Sequence, residues 1–348
     1  MSGAEWFGDR PGGLNRYFQD LFLALSQRDD CQVEGYAFGT PPEGGASWGP
    51  TGGGLMARMR SSRRGPAVDG AVLDRHFAPY GPGARSAGVD VVHFQGPWAA
   101  ESAVAGQRGS GVALKRAIER RRYRGADAAV VLSAPFRDIL CRDYGFPVDR
   151  VHVIPPGVDL ARFTPAPERP GAATVVCVRR LERRMGIDVL LEAWVDVVRA
   201  RPEADLVVVG TGSEEGQLRA RARELGVDGS VRFAGRVTDE ELRRTYADAA
   251  CSVVPTLALE GFGLIALESL AVGRAPVVTR VGGLPDSVTG LDPSLVVEPG
   301  SAGALADRLA RALDGDVPDA EACRRHAALF DWSVIAQRHV DLYCGLGA

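Results

Sequence analysis

One stretch restricts the fold more than any other: Cys251-Ser-Val-Val-Pro255, followed closely by Glu260-Gly-Phe-Gly-Leu-Ile-Ala-Leu-Glu268. The first run is short and apolar and reads as a buried strand. The second opens on a glycine-flanked turn and continues as an apolar helical pattern that ends near Gly273. A helix that starts directly after a strand aims free backbone N–H groups, with the positive end of its dipole, at one place. An anion such as a pyrophosphate fits there. Gly261 and Gly263 carry no Cβ, so a ligand can approach the backbone closely. Glu260 stands at the mouth of the turn and Glu268 lies further along the helix. Beside a phosphate, two carboxylates make sense as acceptors for sugar hydroxyls. Taken in isolation, a helix-capping Glu and a solvated Glu explain the segment equally well.

The chain around this stretch alternates strands and helices. In the C-terminal half, residues 174–178, 205–209, 231–234, 276–279 and 295–297 read as strands. Residues 187–199, 214–225, 239–247 and 304–313 between them have helical spacing, and so has a tail running from Phe330 through Tyr343. In the N-terminal half, Val89–Phe94, Ala128–Leu132 and Val151–Ile154 read as strands. This alternation predicts an α/β fold with ligand at the strand C-termini. At 348 residues the chain suits two domains. The expected division is 1–165, 170–325, and a C-terminal helix at 326–348 that crosses back to the first domain, with the proline-rich stretch from Pro155 to Pro170 as the boundary.

Other features narrow the function. The net charge of −3 gives no general attraction for nucleic acid. The six cysteines show no metal-ligand or disulfide spacing, and there is no signal-peptide or membrane-span pattern, so a cytoplasmic location is expected. Gly210-Thr-Gly212 could begin a dinucleotide site. The next strand, however, ends in Gly235-Arg236 instead of the acidic residue that an NAD ribose needs, which argues against an oxidoreductase. Gly12-Gly13 opens a helix with Leu14, Tyr17, Phe18, Leu21 and Leu25 on one face. Only eleven mostly polar residues precede it, so the first strand of the N-terminal domain is expected to be missing. Residues 40–70 are rich in Gly, Pro, Ser and Arg and read as a mobile loop. Two basic segments, Arg58–Arg64 and Lys115–Arg124, are candidates for contact with an anionic acceptor or a membrane surface, with a solvated surface as the plainer reading.

Taken together, these motifs resemble the retaining GT-B glycosyltransferases of family four, the group 1 glycosyl transferases. The carriers are Gly12-Gly13, His93-Phe-Gln-Gly-Pro-Trp98, Ile154-Pro-Pro-Gly-Val-Asp159, Arg179-Arg-Leu-Glu-Arg-Arg-Met-Gly186, Gly210-Thr-Gly212 and the two glutamates with seven residues between them. The resemblance implies two Rossmann-like domains facing a cleft. It also implies roles. Glu268 would accept from ribose hydroxyls and Glu260 would lie by the donor sugar. Gly261, Phe262, Gly263 and Leu264 would form the turn whose N–H groups bind the distal phosphate or sugar. Arg180 would neutralise the pyrophosphate, Arg236 and Val237 would meet the nucleobase, and Gly210 would line the donor site. Gly12 and Gly13 would close over the phosphates, and His93 would sit near the sugar or acceptor. The family's lysine, five positions after its arginine, is replaced by Met185, which cannot neutralise a leaving phosphate. Arg184 is the candidate to take its place.

The function implied is transfer of a sugar from a nucleotide-sugar, UDP-linked by preference and GDP-linked as the other option, to an unidentified acceptor hydroxyl with retention. No cofactor and no metal are expected. The rival readings are a non-catalytic nucleotide-sugar-binding subunit and an epimerase or phosphorylase on the same fold. The expected location is the cytoplasm, including the inner membrane face.

Overall fold

The computed structural model describes residues 1–9, 12–63, 72–77, 79–81, 88–104, 109–165 and 173–347. Two compact units divide the chain: Met1–Gly157 together with the segment from Trp332 onward, and Val158–Asp331.

The first unit is built from β1 (Ser2–Glu5), α1 (Gly13–Ser26), β2 (Gly35–Phe38), β3 (Gly45–Ser47), α2 (Leu55–Ser62), β4 (Val72–Arg75), β5 (Val89–Phe94), α3 (Trp98–Val104), α4 (Ser110–Tyr123), β6 (Ala128–Val131), α5 (Ala134–Tyr144) and β7 (Val151–Val153). The strands pair in the order β3-β2-β1-β4-β5-β6-β7, all in parallel.

The strand expected to be missing is present, and it is central. β1 is only Ser-Gly-Ala-Glu, yet it lies between β2 and β4. Its small residues are the reason for its burial. A Cβ on Gly3 would come within 2.5 Å of the Phe18 ring, so helix α1 lies directly on the strand. Trp6, just beyond, is wholly buried and donates from Nε1 to the Ala46 carbonyl at 3.0 Å. The strand's side chains supply little hydrophobic signal; its neighbours supply the apolar cover.

The expected loop at 40–70 is also corrected over its described part, which contains β3 and α2. Trp48 stacks on Tyr36 with ring centroids 6.1 Å apart, and Ser61 Oγ donates to the Trp48 carbonyl at 2.9 Å. Arg64 lies outside the described residues, as does the boundary stretch 166–172.

The second unit comprises β8 (Thr174–Val178), α6 (Ile187–Ala200), β9 (Asp205–Val209), α7 (Glu215–Glu224), β10 (Val231–Gly235), α8 (Asp239–Asp248), β11 (Cys251–Val254), α9 (Leu264–Val272), β12 (Pro276–Thr279), β13 (Val296–Val297), α10 (Ala302–Leu313) and α11 (Ala320–Ala328). Its parallel sheet has the order β10-β9-β8-β11-β12-β13. Strands β8, β9, β11 and β12 are near-continuous apolar runs because helices cover both faces. Helix α6 buries Ile187, Leu190, Leu191, Trp194 and Val197, the spacing of one helical face. Thr238 caps α8 in a capping box with Glu241. The chain order reverses direction across the sheet between β8 and β11, the position at which doubly wound sheets open a crevice at their carboxyl ends.

The last helix, α12 (Trp332–Gly345), belongs to the first unit and packs on α1. Tyr17 Oη lies 3.3 Å from His339 Nε2, and a Cβ on Gly157 would meet Trp332 at 2.3 Å.

Candidate active site

In the second unit the loops after β8 and β11 meet at the switch point. Parallel pairing sets Cys251 opposite Val175 and Ser252 opposite Val176, so the two strands finish side by side. The segment after β8 carries Arg179 and Arg180, and the segment after β11 carries Thr256 and Glu260. Arg179 donates from Nη2 to both Thr256 Oγ1 and Glu260 Oε2. Arg180 is exposed, and its guanidinium makes no hydrogen bond or ion pair among the described residues.

Close backbone packing holds this region, and glycine is required where it occurs. A Cβ on Gly186 would sit 2.0 Å from the Pro255 carbonyl oxygen, and one on Gly282 would sit 1.9 Å from that of Glu260. Gly283 N–H donates to the same Glu260 oxygen at 3.1 Å. Leu259 has φ of 57°, the only non-glycine positive φ among the described residues. Such strain in a functional loop persists only where the surroundings overdetermine it. Arg184 supplies part of that constraint, because its Nη1 donates to the carbonyls of Leu259 at 2.8 Å and Ala258 at 3.3 Å.

Helix α9 begins at Leu264, with Gly263 as N-cap at φ of 101° and no side-chain cap. Its first N–H groups therefore have no side-chain acceptor at the cap, and Glu260 and Gly261 immediately precede this turn. Phe262 turns inward, with its ring 5.5 Å from Phe330. Glu268 is 6% exposed and borders Tyr246. Burial, and then this carboxylate, push the Tyr246 phenol well above its ordinary range.

Other expected residues are placed differently from one another. Gly210 is packed on the chain: a Cβ there would lie 1.9 Å from the Arg179 carbonyl oxygen. Arg236 is exposed and, with Val237, lines a groove of about 780 Å³ beside Glu241, Arg244 and Thr245. Met185, at the position where the family lysine was expected, is a core residue at 3% exposure. The expected replacement, Arg184, spends Nη1 on loop carbonyls.

Gly12, Gly13 and His93 belong to the first unit. The two glycines are exposed at the start of α1. His93 is 2% exposed and sits in a buried cluster that sequence reasoning missed. Its Nε2 lies 2.8 Å from Asp74 Oδ1, and its ring stacks on His76 at 3.8 Å. Gln95 Nε2 approaches Nδ1 of His93 and His76 at 3.2 and 3.3 Å, a geometry that puts the ring protons on the Asp74 side. Tyr343 donates to Asp74 Oδ2 at 2.6 Å. Burial pushes the Asp74 carboxyl up, but the imidazoles of His93 and His76 outweigh it and hold the group well below the usual range. Burial lowers His76 to about 3 and His339 to about 4. Asp74, His76 and His93 bring potential ligand atoms within 4.8 Å of one another. Sequence spacing carries little sign of this cluster beyond the Asp-Arg-His run, because its members come from β4, β5, the residues just after each, and α12.

Of the basic segments, Arg58 turns inward. It pairs with Glu5 at 2.9 Å and lies over the rings of Phe38 and Tyr80 at 4.3 and 4.9 Å, so it is not an outward anion contact. In α4, Lys115 donates to Ser102 at 2.7 Å and lies over Trp98, while Arg116, Arg121 and Arg124 are exposed. Among the described residues no helix is long and apolar enough to cross a membrane.

Comparison with known families places this geometry. The model for glycosyl transferases group 1 matches residues 163–329, and the model for glycosyltransferase family 4 matches residues 11–162. The chain belongs to the glycosyltransferases. A D-inositol 3-phosphate glycosyltransferase of Corynebacterium jeikeium is 34% identical over 251 residues, covering 66% of this chain and 60% of that protein. A Corynebacterium glutamicum protein named as a GDP-mannose-dependent monoacylated phosphatidylinositol monomannoside mannosyltransferase is 33% identical over 54% of this chain and 55% of its own. The matches thus span less than two thirds of these relatives' length. Among solved structures, sucrose-phosphate synthase from Thermosynechococcus elongatus superposes with a TM-score of 0.76 at 22% identity, over 99% of this chain and 98% of that one. Anabaena HepE in complex with UDP gives 0.73 at 16% identity, over 99% and 98%. These likenesses establish the glycosyltransferase GT-B fold.

Proposed function

We propose that this glycosyltransferase moves a hexosyl unit from a nucleotide-sugar to an acceptor hydroxyl with retention at the anomeric carbon. The observation that carries the reading is the convergence, at the β8–β11 switch point, of exposed Arg180, the uncapped start of α9 and Glu260. Breaking the sugar C1–O bond leaves negative charge on the distal phosphate. Arg180 and the α9 N–H groups stabilise that charge as it develops. Glu260 accepts from sugar hydroxyls and Glu268 from the ribose. A same-face route, in which the leaving phosphate oxygen takes the acceptor proton, accounts for retention without an enzyme nucleophile. The reaction as drawn needs no metal.

A UDP-sugar is the first choice of donor, because HepE was solved with UDP; the name of the Corynebacterium glutamicum relative makes a GDP-sugar the second. The exposed arginines of α4, with Leu114 62% exposed among them, favour an acceptor presented at an anionic membrane surface on the cytoplasmic side. The buried Met185 favours one rival reading, a subunit that binds the donor without turning it over.

The deciding experiment incubates the full chain with UDP-glucose, UDP-N-acetylglucosamine and GDP-mannose, with and without inositol 3-phosphate or lipid acceptors. Release of nucleoside diphosphate and an α-linked product by NMR support transfer with retention. Binding without release supports the binding subunit, and a β-linked product overturns retention.

A further inference from the structure

Glu260 is fixed far more tightly than a residue that merely lines a pocket. Its carbonyl is held by Gly283, and the residue before it is strained and clamped by Arg184. Its side chain is held by Arg179, whose side chain is 9% exposed against 17% for Glu260. Arg179 engages Glu260 Oε2, while Oε1 makes no hydrogen bond among the described residues. Thr256, wholly buried, accepts from the same Nη2 of Arg179.

We propose that Arg179 is a positioning residue of the donor site, fixing Glu260 so that one carboxylate oxygen stays free to accept from a hydroxyl of the transferred sugar. The inference rests on the nucleotide-sugar reading given above. A carboxylate without an anchor turns among several settings, and the guanidinium holds this one in place. Neither neighbouring arginine does the same: Arg180 is exposed and makes no ion pair among the described residues, and Arg184 is engaged by main-chain carbonyls. With Oε2 occupied, Glu260 offers a single acceptor in a set direction, so the rotamer need not be ordered when the sugar arrives. The substrate class that follows is a donor sugar with a free hydroxyl at that position.

The test uses the full chain and the variants Arg179→Ala, Arg179→Lys, Glu260→Gln and the Arg179→Ala/Glu260→Gln double. Calorimetry compares UDP with UDP-glucose and GDP with GDP-mannose, turnover is followed as nucleoside diphosphate release, and melting temperatures identify any variant that fails to fold. In Arg179→Ala, nucleoside diphosphate binding stays within about threefold of the parent, while affinity for the nucleotide-sugar and kcat fall about tenfold or more; Glu260→Gln behaves alike, and the double is no worse than the weaker single. Arg179→Lys recovers part of the loss, since an ammonium can still pair with Glu260 but lacks the rigid planar geometry of the guanidinium. Equal loss of nucleoside diphosphate and nucleotide-sugar binding in Arg179→Ala overturns the proposal, because Arg179 would then be a phosphate ligand. Additive effects in the double overturn it as well. A parent chain that binds none of these nucleotides refutes the donor reading itself, and the inference falls with it.

Discussion

Arg184 Nη1 donates to the carbonyl oxygen of Leu259 at 2.8 Å, and Leu259 is the residue whose φ of 57° turns the chain into Glu260. An arginine that sequence places beside a leaving phosphate thus acts on the backbone that presents the glutamate. Its removal frees two carbonyls and relaxes a strained turn.

Arg184→Ala should therefore lower stability by about 1.5–3 kcal/mol, the usual worth of a hydrogen bond to a charged group, and reduce turnover together with it. Arg180→Ala should leave the melting temperature unchanged and weaken nucleoside diphosphate binding about tenfold. Urea denaturation and calorimetry on both variants separate the two roles. Equal stability loss in both would contradict the assignment.

Gly186→Ala should be among the most damaging single changes in the second unit. The new Cβ meets the Pro255 carbonyl at 2.0 Å, and the residue sits at φ of 71°. Overpacking and positive φ together should cost about 3 kcal/mol or more. Gly3→Ala tests the first unit in the same way, because its Cβ meets the Phe18 ring, a neighbour that can yield a little; about 1–3 kcal/mol is expected. Chemical denaturation reads both.

Acid should destabilise the first unit well before the usual carboxylate range. His76 and His339 are lowered by burial to about 3 and 4, below the ordinary histidine value, so the unfolded chain binds more protons between there and about 6.5. Their contribution is present above about 6.5 and is lost as pH falls towards the folded values, at up to about 1.4 kcal/mol per pH unit for each histidine. Asp74, held low, loses its contribution at still lower pH and with the same sign. His339→Phe should flatten the slope between pH 6.5 and 4. An unchanged slope in urea titrations would remove His339 from the account.

Arg58→Ala should reduce stability by roughly 2–4 kcal/mol through the Glu5 pair and the Phe38 and Tyr80 stacking, without altering vesicle binding. The Arg116→Glu/Arg121→Glu double variant should do the reverse, lowering binding to phosphatidylserine vesicles about tenfold with little change in melting. Vesicle sedimentation at low and physiological salt distinguishes them.

Much of this molecule is legible in its sequence. Apolar runs of strand length, helical spacing such as Ile187 to Val197, and glycine turns ahead of helices are local patterns, and local patterns fix local geometry. From them followed the α/β class and the strand–turn–helix around Glu260. The first strand was not legible, because Ser2–Glu5 owes its burial to Phe18 lying over Gly3. Nor was the inward turn of Arg58, which follows from the distant Glu5, Phe38 and Tyr80.

The sequence by itself determined where the two glutamates and the arginine run lie along the chain, since residue type and spacing are sufficient for that. Which arginine faces Glu260 was decided only when β8 came to lie beside β11. That pairing brings Arg179 against a residue 81 positions away, leaves Arg180 exposed and sends Arg184 to the carbonyls before the glutamate. The Asp74–His93 cluster arose in the same way, from strands and a final helix brought together by packing. Side-chain pairing across such distances depends on which strands become neighbours, and that is a property of the whole fold.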